Sequence, residues 1–223
     1  PTFERATPAP ARFEQAAALT ADAAAQSARE AAQGAQSLEE LRALLESFQG
    51  CALKATATRL VFADGNPQAK IMLIGEAPGA EEDRQGLPFV GRAGQLLDRM
   101  LAAIGLDRTS VYIANAIPWR PPGNRAPTPQ EVAICLPFLQ RQIALVAPRI
   151  IVCLGKSSMQ AVLGRREGIM QARGHWFDYH DGEARVRALA MLHPAYLLRQ
   201  PAHKRLAWRD LQILKKAINE PPA

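Results

Sequence analysis

Apolar positions recur along this chain in two alternating rhythms, and their alternation sets the class of fold to expect. The first clear segment begins at Ser37. Ser37-Leu38-Glu39-Glu40 has the form of a capping box, and Leu38, Leu41, Leu45 and Phe48 follow at helical spacing until Gly50. A run from Lys70 to Ile74 then gives way to a Gly-rich loop and a helix whose Leu97, Leu101 and Ile104 share one face before Gly105. The unit repeats. Val111 to Ala114 leads through a Pro-rich loop to Thr128-Pro129-Gln130-Glu131, where Thr caps, Pro takes the first helical position and Glu closes the box. Ile150 to Leu154 forms a third strand, with Gly155-Lys156-Ser157-Ser158 opening a helix toward Gly164; Val186 to Leu192 forms a fourth, before a helix from about Lys204 to Ile218. Buried strands punctuated by helices predict an α/β three-layer sandwich around a central four-stranded, mostly parallel sheet.

Residues 1–36 differ in texture. They are dominated by Ala, with runs at Ala16 to Ala18 and Ala23 to Ala25, so helix propensity is high and bulky apolar residues are few. The expected division is an Ala-rich leader over 1–36, flexible or a loosely docked helix, and one globular domain over 37–223. A chain of 223 residues with 48% hydrophobic and 22% charged side chains is long enough to bury one sizeable core.

Charge is unevenly placed. The net charge is +6, yet from Arg141 onward fourteen basic residues face six acidic ones, so nearly all the surplus lies in the last third. That favours a polyanionic partner, although a solvated basic face explains charge equally well. Cys51, Cys135 and Cys153 are odd in number and widely spread, which argues against a disulfide framework and for a reducing compartment. No apolar stretch approaches the length of a membrane span and no charged-then-apolar leader opens the chain, so a cytoplasmic monomer without membrane attachment is expected.

Open α/β sheets bind ligands beyond the carboxyl ends of their strands, so the residues just after each run are the ones to read for chemistry. After the first comes Gly75-Glu76-Ala77-Pro78-Gly79, after the second Asn115, after the third Gly155-Lys156-Ser157, and after the fourth His193-Pro194-Ala195-Tyr196-Leu197-Leu198. Each has an ordinary structural explanation: glycines turn chains, Asn caps turns, and an imidazole can be satisfied in a core. Together they describe a rim. Backbone N–H groups in a Gly- and Pro-rich loop can approach a ligand closely, yet neither Walker-A nor Gly-x-Gly-x-x-Gly spacing is present. Asn presents a carbonyl beside an amide, and an imidazole N–H can stabilise negative charge on a second carbonyl, so a pyrimidine with two carbonyls fits. Phe89, within Gly86-Leu87-Pro88-Phe89-Val90-Gly91, is either a flat platform for that base or a core aromatic.

Gly75 to Gly79, Leu87 to Gly91, Val111 to Asn115, Arg120 to Arg125 and His193 to Leu198 together resemble the uracil-DNA glycosylase superfamily, nearest its family 4, from about Phe48 to Ile218. The resemblance implies a monofunctional base-excision repair enzyme, acting on the bacterial nucleoid. It would flip uracil out of DNA and hydrolyse its N-glycosidic bond, leaving an abasic site without strand cleavage; other deaminated bases stay open. It implies catalytic roles for Glu76, Asn115 and His193: Glu76 for the water, Asn115 for the base edge, His193 for the O2 that becomes anionic. Phe89 would stack on the base, and Gly75, Ala77, Pro78 and Gly79 would line its pocket. Tyr196, Leu197, Leu198 and Arg199 would wedge into the duplex. Lys156 and Ser157 are further DNA-binding candidates, or simply the start of a helix.

One departure from the family stands out. Similar family 4 members hold an iron–sulfur cluster on four cysteines, and the matching positions here are Phe48, Cys51, Trp119 and Cys135. Two sulfurs of four do not hold it, so no metal or other cofactor is expected, with Phe48 and Trp119 filling the space. Two further readings remain at this level: a lesion- or DNA-binding module of the same fold that has lost its chemistry, and an α/β enzyme acting on free nucleotides.

Overall fold

A computed structural model of the chain describes residues 11–181 and 184–220. The first ten residues of the expected leader and the last three of the expected domain lie outside the described residues. Four parallel strands form the centre of the sheet: β2 (Ile71–Gly75), β3 (Tyr112–Asn115), β4 (Ile150–Leu154) and β6 (Ala184–Met191). These are the four that the apolar runs predict. The sheet nevertheless has six strands, because a short strand closes each edge antiparallel: β1 (Asp64–Gly65) on β3 and β5 (Trp176–Asp181) on β6. The resulting order is β1-β3-β2-β4-β6-β5. Both edge strands lack the unbroken apolar run of a strand covered on two faces, β1 because it spans two residues and β5 because Asp178 and His180 interrupt it.

Alternation along the strands divides the core. Leu73, Ile113, Val152, Leu189 and Met191 face a layer made by α5 (Arg92–Ala102), α9 (Pro194–Arg199) and α10 (Lys204–Asn219). Met72, Ile74, Ala114, Ile151, Cys153 and Ala190 face α6 (Pro129–Val146), α7 (Lys156–Leu163) and α8 (Ile169–Ala172). This is the three-layer sandwich. The caps form as their sequences require: Ser37 accepts from the Glu40 N–H, and Thr128 accepts from the Glu131 N–H while the Glu131 carboxylate takes the Thr128 N–H.

A further cluster lies beyond α6. There α1 (Ala11–Gly34) and α2 (Leu38–Ser47) pack with α3 (Leu53–Thr56), burying Ala25, Ala28, Ala32 and Ala35 beside Leu41, Leu45 and Phe138. Small residues on one face of α1 let its backbone approach closely, and Arg141 of α6 donates to the Ala35 carbonyl just past its end, at 2.8 Å.

Chain order explains where a ligand can enter. From β2 the chain moves to β3 on one side, then crosses to β4 on the other, so the loops after β2 and β4 diverge and leave a crevice between them. Another short helix, α4 (Ala80–Gln85), begins inside the first of those loops. Among the described residues, no helix is long and apolar enough to cross a membrane.

Candidate functional site

A cleft of about 350 Å³ opens at this crevice. Glu76, Ala77, Pro78 and Gly79 from the loop after β2, Asn115 from the end of β3, Phe89, and His193 with Ala195 and Arg199 from α9 and its cap all line it. The loop Pro121 to Arg125 completes the wall. Three groups far apart in sequence, an amide, an imidazole and a benzene ring, thus face one cavity.

Gly75 is what lets them meet. It pairs in register with Asn115 across the β2–β3 ladder, and a methyl group on its Cα would collide with Asn115 Oδ1 and lie 2.6 Å from Phe89 Cζ. Only a residue without Cβ leaves room for both. Asn115 is 6% exposed, and its side chain has no hydrogen-bond partner among the described residues, while no fully enclosed polar atom lacks one. Its free amide atoms therefore open on the cleft, which is what a ligand-reading Asn requires and a turn-capping Asn would not show.

His193 caps α9, with Pro194 at the first helical position. Its Nδ1 accepts the Ala195 N–H at 3.0 Å, which leaves Nε2 as the protonated nitrogen. Burial, aided by the charge of Arg199, holds the imidazole pKa down at about 4. At neutral pH the ring is therefore an uncharged N–H donor of fixed tautomer. It lies against Phe89, with ring centroids 5.5 Å apart and planes tilted by 30°. Gly155 takes a left-handed φ of +95° beneath it, where a Cβ would stand 3.1 Å from His193 Cβ.

Phe89 occupies a demanding position, with φ at +53° in a residue that has a side chain. Two charged groups brace it. On one side the Glu82 carboxylate accepts N–H bonds from Val90 at 3.0 Å and Gly91 at 2.9 Å, and also from Gly79 at 3.1 Å, tying the loop after β2 to the one bearing Phe89. On the other, the Arg108 guanidinium donates to the Pro88 and Phe89 carbonyls and is itself held by Asp64 and Asp98. Beneath, Gly94 allows the Phe89 carbonyl to approach so closely that any Cβ would overlap it.

Glu82, Arg108 and Gly94 escaped the sequence reading. Glu82 stands three residues after Gly79, which is a capping signal at the start of α4; Arg108 acts across 19 residues and leaves no local trace. Arg125, with Pro121 and Asn124, also lines the cleft, its guanidinium paired two-pronged with Glu131 at 2.6 and 2.9 Å.

Other expected site residues take different places. Glu76 lines both this cleft and a neighbouring one of about 390 Å³, and its carboxylate has no hydrogen-bond partner among the described residues. Ser157 belongs to the neighbouring cleft, and Lys156 is exposed at the start of α7 outside both. Tyr196 stacks on His203, its hydroxyl 2.7 Å from Nδ1. Leu197 is 1% exposed and belongs to the core, whereas Leu198 is half-buried and Arg199 exposed.

Phe48, Cys51, Trp119 and Cys135 do come together, all buried in the cluster between α6 and the first helices. The Phe48 ring meets Phe138 edge-on at 5.1 Å and overlies Gly50 so closely that a Cβ there would clash with it. Cys135 donates to Cys51 with 3.9 Å between sulfurs. Cys153 sits on β4 in another part of the core, and no third metal-ligating side chain joins the pair among the described residues. This set, two thiols beside a phenyl and an indole ring, does not fit a four-cysteine cluster.

Comparison with known proteins adds a second line. A profile described as the uracil DNA glycosylase superfamily matches residues 62–212. The chain is 41% identical over 170 residues to the Type-4 uracil-DNA glycosylase of Archaeoglobus fulgidus, covering 74% of this chain and 85% of that protein. It is 39% identical over 173 residues to the Type-4 uracil-DNA glycosylase of Thermotoga maritima, covering 76% and 88%. A Type-5 uracil-DNA glycosylase of Thermus thermophilus matches more narrowly, at 34% over 114 residues, 44% of this chain and 52% of that one.

Proposed function

Because the chain belongs to the uracil DNA glycosylase superfamily, we propose that it excises uracil from DNA, cleaving the N-glycosidic bond by hydrolysis and leaving an abasic site. The observation that carries this reading is the convergence of Asn115, His193 and Phe89 on one cleft over Gly75. An amide with both atoms free matches the N–H and C=O edge of uracil, and a ring at one wall gives the base a surface to lie on. In a glycosidic cleavage the base leaves as an anion, so a donor fixed at its O2 lowers the barrier. The Nε2–H is suited to that role because the Ala195 N–H bond to Nδ1 fixes its tautomer and keeps the ring from turning. Glu76 has a free carboxylate at the cleft mouth, where it positions or activates the attacking water.

Ala77, Pro78 and Gly79 complete the base pocket. Arg199 and Leu198 project toward the duplex, with Tyr196 held behind them by His203. Among the described residues no lysine lines the cleft, which favours plain hydrolysis over a Schiff-base route and strand cleavage. The protein acts as a cytoplasmic monomer on the nucleoid, and carries no iron–sulfur cluster, in keeping with the donor set at Phe48 and Trp119.

The test is incubation with matched oligonucleotides bearing uracil, hypoxanthine or xanthine, followed by alkaline cleavage. Alkali-dependent breakage at uracil is expected. Binding without breakage at any of the three bases would overturn the reading and leave a lesion-binding module.

A further inference from the structure

The outer face of α10 carries Lys204, Arg205, Arg209, Lys215 and Lys216, all exposed, and none forms an ion pair with a described carboxylate. The acid within the helix, Asp210, is buried and paired with Arg173. At about 100° per residue these five cations fall within about 140° of arc, a single stripe along a helix about 24 Å long. A basic stripe alone is often only a solvated face. Trp208 makes this one different: it stands amid the stripe with its indole 47% exposed, at the edge of a groove of about 170 Å³ between α5 and α10. Arg99 and Lys204 border that groove and Leu197 floors it.

Position links the groove to the base cleft. Ala195 and Arg199 of α9 face the cleft, and Leu197 of the same six-residue helix faces the groove, so only the width of α9 separates them. A strand that runs from the cleft past α9 meets the Lys204 end of the stripe. Charge selects a polyanion, and the open indole selects one whose base faces are accessible. Duplex DNA hides those faces in its stack, whereas single-stranded DNA exposes them.

We propose that the α10 face and the Trp208 groove form a binding track for single-stranded DNA running on from the everted nucleotide, with Trp208 stacking on an unpaired base and the five cations neutralising phosphates. This rests on the reading of the cleft as a uracil site in DNA. It assigns the protein to uracil in unpaired regions, a choice the cleft itself does not make.

The test compares fluorescence-anisotropy titrations of single-stranded and duplex oligonucleotides bearing uracil over a range of salt concentrations. The proteins are the parent, Trp208→Ala, Trp208→Phe and the double variant Lys215→Gln/Lys216→Gln. Trp208→Ala is expected to weaken single-strand binding at least about fivefold, the low end for a stacked base, with little effect on duplex and with Phe restoring most of the loss. The double variant should flatten the single-strand salt slope by about 1.4, or about 0.7 for each phosphate that is no longer neutralised. Unchanged single-strand affinity in Trp208→Ala, equal losses on both substrates, or an unaltered salt slope each overturns the track. Excision that persists in that case leaves the base-site reading standing, whereas the expected binding differences in a protein that never excises keep the α10 face as a single-strand surface and sink the excision reading, and with it the link to an everted uracil.

Discussion

Arg108 donates to the main-chain carbonyl of Phe89, 19 residues earlier, and so holds the aromatic ring of the cleft from behind its own backbone. The same guanidinium is fixed by Asp64 on β1 and Asp98 on α5, which makes the short edge strand part of the support for the site. Arg108→Ala leaves two carboxylates and two carbonyls without their donor, at a cost of about 1–3 kcal/mol. Excision should fall further than this loss of stability explains, because Phe89 is then free to leave its left-handed conformation. Arg108→Lys should not restore it, since a single ammonium cannot replace the fork. Thermal unfolding and single-turnover excision on the same preparations check this, and a Lys variant of full activity would count against it.

Glu82 is expected to act in a similar way from the other side. Glu82→Ala removes the acceptor shared by three main-chain N–H groups. Because those amides sit at the cleft wall, water replaces part of the loss, so the predicted signature is a drop in excision rate with a melting temperature only a few degrees lower. A collapse of stability with normal residual activity per folded molecule would show that Glu82 is merely structural.

Asn115→Ala and His193→Ala should each slow excision by about 100- to 1,000-fold, the cost of one preorganised donor at a developing anion. DNA affinity should hardly change, since groups that meet a base add little to affinity carried by phosphate contacts. Single-turnover rates and anisotropy titrations separate the two quantities. Parallel losses in both would remove these residues from their assigned roles.

His193 sets the acid limit. Its imidazole is held near 4, against an ordinary value of 6.5, so excision at saturating DNA should stay level from neutral pH down to about pH 5 and fall through about 4. Stability follows the linkage sign: between 6.5 and 4 the unfolded chain takes up a proton that the folded one refuses, so stability declines as pH falls across that window. His193→Gln should remove this share of the slope. A fall in the parent's excision centred near pH 6.5 would show an ordinary, solvated imidazole.

Purified protein is predicted to show no iron–sulfur absorbance, and Trp119→Ala to cost about 3–5 kcal/mol as a large buried ring is removed. Stoichiometric iron with visible absorbance would reverse the first expectation, and a near-neutral Trp119→Ala would remove the packing argument.

The central sheet was readable because β2, β3 and β4 are buried on both faces and write unbroken apolar runs, as does β6 from Ala188 to Met191, and α2 and α6 because Ser37 and Thr128 announce them. The two edge strands were not, since one is two residues long and the other mixes Asp and His into its run. The helix α9 left no signal of its own, because six residues are too few for a helical period. Within the cleft, the residues at strand ends could be found by position alone. Their braces could not, because the reach of Arg108 to Phe89 exists only after folding. Leu197 shows the same limit in reverse: the family pattern places it in a wedge, whereas in this conformation its side chain is core.

Beyond α6, the first helices are fastened to the rest of the protein by Phe48, Trp119 and Phe138. Ring packing of that kind draws nothing from a cell's metal supply. On the cluster-free reading proposed above, a cell starved of iron would leave that joint as tight as before.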